Sequence, residues 1–230
     1  MKDNRKRALV GIVSLVAFVL WTILIQHIDV QRVGPHETDI GFATFNVWFH
    51  QMTGVHMLIY TITDWLGLVP IIICMCFGLM GFVQLVKKRS LLKVDPDILL
   101  LGVYYVLVIL SYLIFEMVPI NYRPILIDGN LEASYPSSTT LLVLSVMPTL
   151  KYQVDRRIVN SVFKNAIAIF AIVFSAFMVI GRLISGVHWA TDIIGSVFLS
   201  SGLFLIYQFL TDYTDLKKMH MKSEAPNGVQ

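Results

Sequence analysis

Gly181-Arg182-Leu183-Ile184-Ser185-Gly186-Val187-His188-Trp189-Ala190-Thr191-Asp192 sets an arginine, a histidine and an aspartate between two apolar segments. If the second segment is a helix that starts near His188, then His188 and Asp192 stand four residues apart on one face, where a carboxylate can orient an imidazole. Arg182, at the end of the preceding helix, faces the same pocket, and its planar fork suits phosphate oxygens. Together they form a phosphoryl-transfer constellation. The plainer alternative is a histidine and an aspartate that cap a helix at a membrane surface.

The chain around this stretch is written for lipid. Hydrophobic residues make up 56% of it and charged residues 14%, and the mean hydropathy is +0.71. Those values belong to a polytopic membrane protein. Cys74 and Cys76 lie inside one apolar run and face different ways on a helix, so they read as packing residues rather than a disulfide or a metal site. The expected fold class is all-α, a membrane bundle of six transmembrane helices with an interfacial helix between spans one and two.

Residues 1–7 form a basic head, and Ala8 to about Gln26 is the first span; no small-residue cleavage site follows it, which argues against a signal peptide. His27 to about Thr53 is mixed, with Phe42, Phe45, Trp48 and Phe49 at near-helical spacing. It reads as an amphipathic interfacial helix or as an ordered loop on the bundle. Leu58–Val86 holds the second span, broken by Asp64 and Pro70, and Ile98 to about Phe115 is the third, closed by Glu116. The fourth begins at Pro136-Ser137-Ser138-Thr139, a proline and hydroxyls that mark a helix start, and ends near Leu150. Spans five (about 166–180) and six (about 189–210) complete a membrane domain over residues 8–211. A polar tail, 212–230, is expected to be disordered.

Lysines and arginines fix the expected orientation. The head and the second-to-third and fourth-to-fifth connections carry four each and the tail carries three, leaving Arg32, Arg123 and Arg182 for the other side. By the positive-inside rule the protein is a multi-pass protein of the cytoplasmic membrane, with both termini cytoplasmic and the His188 loop extracytoplasmic. Glu116 through Pro124, the start of span four and the Arg182–Asp192 stretch then converge on one outer face. Two helix starts there favour an anion.

At these residues the chain resembles the type 2 phosphatidic acid phosphatase and haloperoxidase superfamily, in its six-span membrane branch. That family's pattern is Lys-x6-Arg-Pro, then Pro-Ser-Gly-His, then Ser-Arg-x5-His-x3-Asp. Arg123-Pro124, Pro136-Ser137, Arg182, His188 and Asp192 match at the correct internal spacings. Glu116 stands in place of the lysine, Ser138-Thr139 in place of Gly-His, and Gly181 in place of the serine.

The resemblance implies that His188 is a nucleophile that forms a phosphohistidine, that Asp192 orients it, and that Arg182 and Arg123 bind phosphoryl oxygens. Ser137, Ser138 and Thr139 with their amides would complete the cradle. Thr139 occupies the position of the family's general acid, and a hydroxyl is too weak an acid for that role; losing such an acid typically costs about 10²–10⁴-fold in rate. A carboxylate at Glu116 would repel a phosphoryl group by about 4 kcal/mol at about 4 Å with an effective dielectric near 20. Glu116 therefore acts as a substitute donor, pairs with Arg123, contacts a cationic headgroup, or simply caps span three. His50 and His56 are further candidate donors.

Three functions follow from this reading. The first is a lipid phosphatase working outside the cytoplasm on a polyprenyl diphosphate or another lipid phosphate. The others are a phosphotransferase on the same scaffold and a non-catalytic phospholipid-binding relative. A membrane lipid phosphate is the expected partner, with no nucleic acid, metal or other cofactor. A channel fits poorly, because the interior charges cluster at one end.

Overall fold

The computed structural model describes residues 2–224. Its helices are α1 (Lys2–His27), α2 (Ala43–Thr53), α3 (Met57–Leu66), α4 (Leu68–Lys88), α5 (Pro96–Met117), α6 (Ser138–Arg157), α7 (Ser161–Ile184) and α8 (Ala190–Glu224). Among the described residues, five helical stretches are long and apolar enough to cross a membrane: Asn4–His27, Met57–Lys88, Pro96–Met117, Ser161–Ile184 and Ala190–Met219. The outward faces of α1, α4, α5 and α7 expose Leu, Ile, Val and Phe side chains over most of their length. A surface of that kind needs lipid against it. The chain is a multi-pass, all-helical membrane protein.

The fourth expected span is α6, and it is the helix that falls short on hydropathy. Its position explains this: α6 packs against α4, α5, α7 and α8, so its environment is protein. Thr140, Ser145, Thr149 and Gln153 are buried along it. Polar groups at such depth must find partners. The Tyr105 and Thr149 hydroxyls lie 2.8 Å apart and Gln153 Nε2 donates to Tyr207 Oη at 2.5 Å, while Tyr104 Oη donates to the Ser145 backbone carbonyl at 3.0 Å and leaves the Ser145 hydroxyl unpartnered.

Close approach holds the other helices. A Cβ on Gly202 of α8 would lie 2.7 Å from Leu15 of α1 and 3.1 Å from the Gly11 carbonyl oxygen, so bare glycine backbone is what lets these two helices meet. At the end of the bundle that carries the basic residues, Arg7 pairs with Asp212 at 2.5 Å, Arg156 with Asp215 at 2.7 Å and Arg157 with Asp97 at 2.7 Å.

Several boundaries differ from expectation. α6 runs on to Arg157, so Lys151, Arg156 and Arg157 sit in its last turns instead of a loop. The expected disordered tail is helical as far as Glu224, because α8 continues through the polar residues that supply Asp212 and Asp215; residues 225–230 lie outside the described residues. An unexpected two-stranded antiparallel hairpin, β1 (Gln31–Val33) with β2 (Thr38–Ile40), precedes α2. α2 buries Ala43 and Asn46 and turns Phe45, Trp48 and Met52 outward. Cys74 and Cys76 are free thiols.

Candidate active site

The His188 loop is built from its backbone up. Gly186 adopts a left-handed φ of 72°, and a Cβ there would collide with the Gly54 carbonyl oxygen. Only glycine allows the loop between α7 and α8 to press this closely on the loop between α2 and α3. Two bonds lock the contact, from the His56 N–H to the Ser185 carbonyl at 2.9 Å and between His50 Nε2 and the Gly186 carbonyl at 3.1 Å. His50 is thus engaged with backbone, as is His56, whose Nε2 lies 2.8 Å from the Thr53 carbonyl.

Asp192 is the third residue of α8, and its Oδ2 accepts the Trp189 N–H at 2.9 Å, the reciprocal half of a capping box. Its Oδ1 accepts from Asn121 Nδ2 at 3.3 Å. His188 Nδ1 is 3.7 Å from Asp192 Oδ2 and 3.1 Å from the Ser134 carbonyl. A carbonyl can only accept, so Nδ1 carries the hydrogen and donates it to Ser134, while Asp192 acts on the ring through space. One side chain thus caps the start of α8 and stands 3.7 Å from the imidazole.

The remaining nitrogen, Nε2, is buried and has no hydrogen-bond partner. His188 as a whole is 4% exposed. Burial pushes its pKa down to about 4, with Asp192 pulling upward and Arg123 and Arg182 adding to the decrease. Such an imidazole is neutral at physiological pH and offers Nε2 as a lone-pair nucleophile.

Two arginines lie over one ring, with the Arg182 guanidinium carbon 4.9 Å and that of Arg123 6.0 Å from the centroid of Tyr60. Arg182 is 2% exposed. Its Nη2 donates to Asp64 Oδ1 at 2.7 Å and to Thr139 Oγ1 at 2.6 Å, while Nε and Nη1 have no partner. Gly181 makes this possible, since a Cβ there would stand 2.7 Å from Thr63 Cγ2 and hold α3, with Asp64, away from α7. Arg123 pairs with Glu132, Nε to Oε2 at 3.1 Å, across a hairpin-like loop that joins Tyr122 to Ala133. Glu116 makes no salt bridge with Arg123 and instead faces the cavity.

The anion cradle differs between the two helix starts. At α8 the Thr191 N–H bonds to Asn46 Oδ1 at 3.3 Å and that of Trp189 to Asp192, so those donors are spoken for. At α6 the first helical residue, Ser138, opens onto the cavity. Ser137 is fully buried with its hydroxyl bonded to Thr140 at 3.1 Å, and does not line it.

Two cavities meet here. A polar one of about 150 Å³ is lined by Glu116, Arg123, Glu132, Ser134, Ser138 and His188 among others. An apolar one of about 470 Å³ runs from Asp64, Ser138 and Thr139 down between α4, α5 and α6 to Cys74 and Tyr105. Ser138 and Tyr112 line both. Arg182 and Asp192 line neither and act from behind the walls. Sequence reading missed Asp64, Glu132, Tyr60 and Asn121. Asp64 carried a usable signal, a carboxylate inside an apolar run; the other three sit in ordinary loop or helix context.

A family model described as the PAP2 superfamily matches residues 71–214. The fold is similar to a solved structure described as the first transmembrane PAP2 type phosphatidylglycerolphosphate phosphatase from Bacillus subtilis. The TM-score is 0.64 at 16% identity, over 88% of this chain and 96% of that one. No curated protein matches the sequence.

Removing the partner of a buried charge is costly, typically about 3–5 kcal/mol. Asp64→Ala should therefore lower stability in detergent by about 3 kcal/mol, towards the low end because Asp64 itself is half exposed. Glu132→Ala should cost under about 1 kcal/mol, as for other solvent-reached pairs. Denaturation midpoints of the two variants measure this, and an Asp64→Ala protein as stable as the wild type would show that Thr139 and Tyr60 suffice to hold Arg182.

Proposed function

Because the chain belongs to the PAP2 superfamily, we propose that it is a membrane lipid phosphatase in which His188 Nε2 attacks phosphorus. The observation that carries this reading is the junction of the two cavities. A phosphate in the polar cavity would meet a neutral, unpartnered imidazole nitrogen beside Arg123, and a hydrocarbon chain could lie in the apolar cleft that shares Ser138 and Tyr112 with it.

The roles follow from the contacts. The Ser134 carbonyl fixes the His188 tautomer, and Asp192 stabilises the positive charge that develops as Nε2 bonds to phosphorus. Arg123 takes phosphoryl oxygens with the Ser138 and Thr139 amides at the start of α6, and Arg182, its Nε and Nη1 unpartnered, adds positive potential from behind the wall. Ser137 supports that turn, its carbonyl accepting from Ser196 at 3.0 Å. Water then releases phosphate from the histidine; a lipid or glycan hydroxyl in its place would make the protein a transferase.

Thr139 supplies no general acid here, since its hydroxyl, held as an acceptor for Arg182 at 2.6 Å, is far too weak an acid. Turnover should therefore depend on how readily the leaving group departs. Lipid diphosphates, a polyprenyl diphosphate among them, should be cleaved about 10²-fold or more faster than plain alkyl monophosphates, the span a missing general acid accounts for. The acid limb of kcat/KM, corrected for substrate ionisation, should fall near pH 4 rather than near 6.5, because a depressed pKa keeps His188 deprotonated down to that value. Equal rates on both substrate classes would assign the acid to another group, Glu116 being the carboxylate in the cavity that no arginine pairs with.

The membrane placement completes the proposal. α6 is the fourth of six spans, α2 lies in the interface through Phe45, Trp48 and Met52, both termini are cytoplasmic and the site is extracytoplasmic. In a background with Cys74 and Cys76 replaced by serine, Glu37→Cys should react with an impermeant reagent in intact cells and Val159→Cys only after permeabilisation. The opposite pattern inverts the topology.

A further inference from the structure

The polar cavity has the wrong charge for a phosphate alone. Its wall carries one arginine, Arg123, against two carboxylates, Glu116 and Glu132. Arg123 is already paired with Glu132, and behind the wall Arg182 is paired with Asp64. Glu116 has no basic partner among the described residues, and His188 contributes no charge. A phosphate entering this space adds negative charge to a surface that is negative on balance.

The lining carries groups of two kinds. The free Nη1 of Arg123 and the start of α6 at Ser138 suit phosphoryl oxygens, and the buried, unpartnered His188 Nε2 suits the phosphorus they surround. Two carboxylates and the rings of Tyr112 and Phe115 line the same space, with Glu132 held at 3.1 Å from Arg123 Nε and Glu116 left without a basic partner among the described residues. Carboxylates beside aromatic faces are what a protonated amine requires, through charge-assisted hydrogen bonds and contact with the ring quadrupole.

We propose that the substrate is a lipid whose phosphate or diphosphate carries a protonated amine within a few bonds of phosphorus. The phosphate meets His188 Nε2 and Arg123, and the ammonium pairs with Glu116. This rests on the lipid phosphatase reading and narrows it. The amine can belong to the lipid body, as in a long-chain 2-amino alcohol phosphate, from which Nε2 displaces the amino alcohol and water then releases phosphate, or to the headgroup, as in an ethanolamine phosphodiester, from which Nε2 displaces diacylglycerol and water then releases phosphoethanolamine. Both place nitrogen two carbons from the ester oxygen, and either one balances the charge that Glu116 leaves open.

Acetylating the amine removes its charge and leaves the phosphate intact. Full-length protein in nanodiscs is given 2-aminohexadecyl phosphate and its N-acetyl derivative, then dioleoyl phosphatidylethanolamine and its N-acetyl derivative, with hexadecyl phosphate as the amine-free reference. At least one free amine should be bound and turned over about tenfold or more better than its acetylated partner, the scale of one charge-assisted contact. The pair that shows the difference identifies the source of the amine. Glu116→Gln should reduce that ratio to about threefold or below. A ratio near one for both pairs in the wild type overturns the proposal, as does a preference that vanishes with a chelator, which would make a divalent cation the balancing charge. If neither these lipids nor a polyprenyl diphosphate is turned over, the phosphatase reading fails by itself. Binding of the same pairs in the same nanodiscs then decides the headgroup question: a retained preference for the free amine upholds it and equal binding ends it.

Discussion

Arg182 carries a permanent positive charge into a place where 2% of it meets solvent, and much of the upper bundle is arranged around keeping it there. A buried guanidinium without partners is among the most costly features a membrane fold can contain. Asp64 and Thr139 take one nitrogen, Tyr60 lies under the plane, and two nitrogens remain without partners. Those remaining donors are a standing demand for an anion. The demand reaches into the packing, because α3 can bring Asp64 close only where α7 has no side chain, at Gly181.

The departures from the family pattern form a connected set around this arginine. With glycine at position 181, α3 approaches and Asp64 arrives; with threonine at 139, a hydroxyl receives the same guanidinium nitrogen. Glu116 then faces the cavity from the end of α5, and Arg123 finds its counter-charge in Glu132. Together these departures give two neutralised arginines, a neutral histidine and one carboxylate left over, a charge pattern that fits a zwitterionic ligand better than an anionic one.

How much of this could be read from the sequence depends on the range of the interaction. The apolar runs report helices directly, because lipid imposes its own length and composition on them. α6 weakened that signal: it is shielded by neighbours, and its polar residues pair with Tyr104, Tyr105 and Tyr207 from other helices. The His188 and Asp192 spacing was legible because it is local. The Ser134 carbonyl that fixes the imidazole is 54 residues away in sequence, and Asp64 is 118 residues from Arg182. No local pattern encodes such pairings. The end of α8 was misjudged for a related reason, since its polar residues are held by Arg7 and Arg156 from distant segments.

The central claim is that His188 Nε2 forms a bond to phosphorus. Its most direct test is to mix the protein with a lipid diphosphate labelled in its terminal phosphate, quench within the first turnovers in alkaline denaturant, and map the labelled peptide. The account predicts label on His188, stable in base and lost in acid, and absent from His188→Ala. Hydrolysis by the wild type with no labelled His188, or label that persists in His188→Ala, would contradict it.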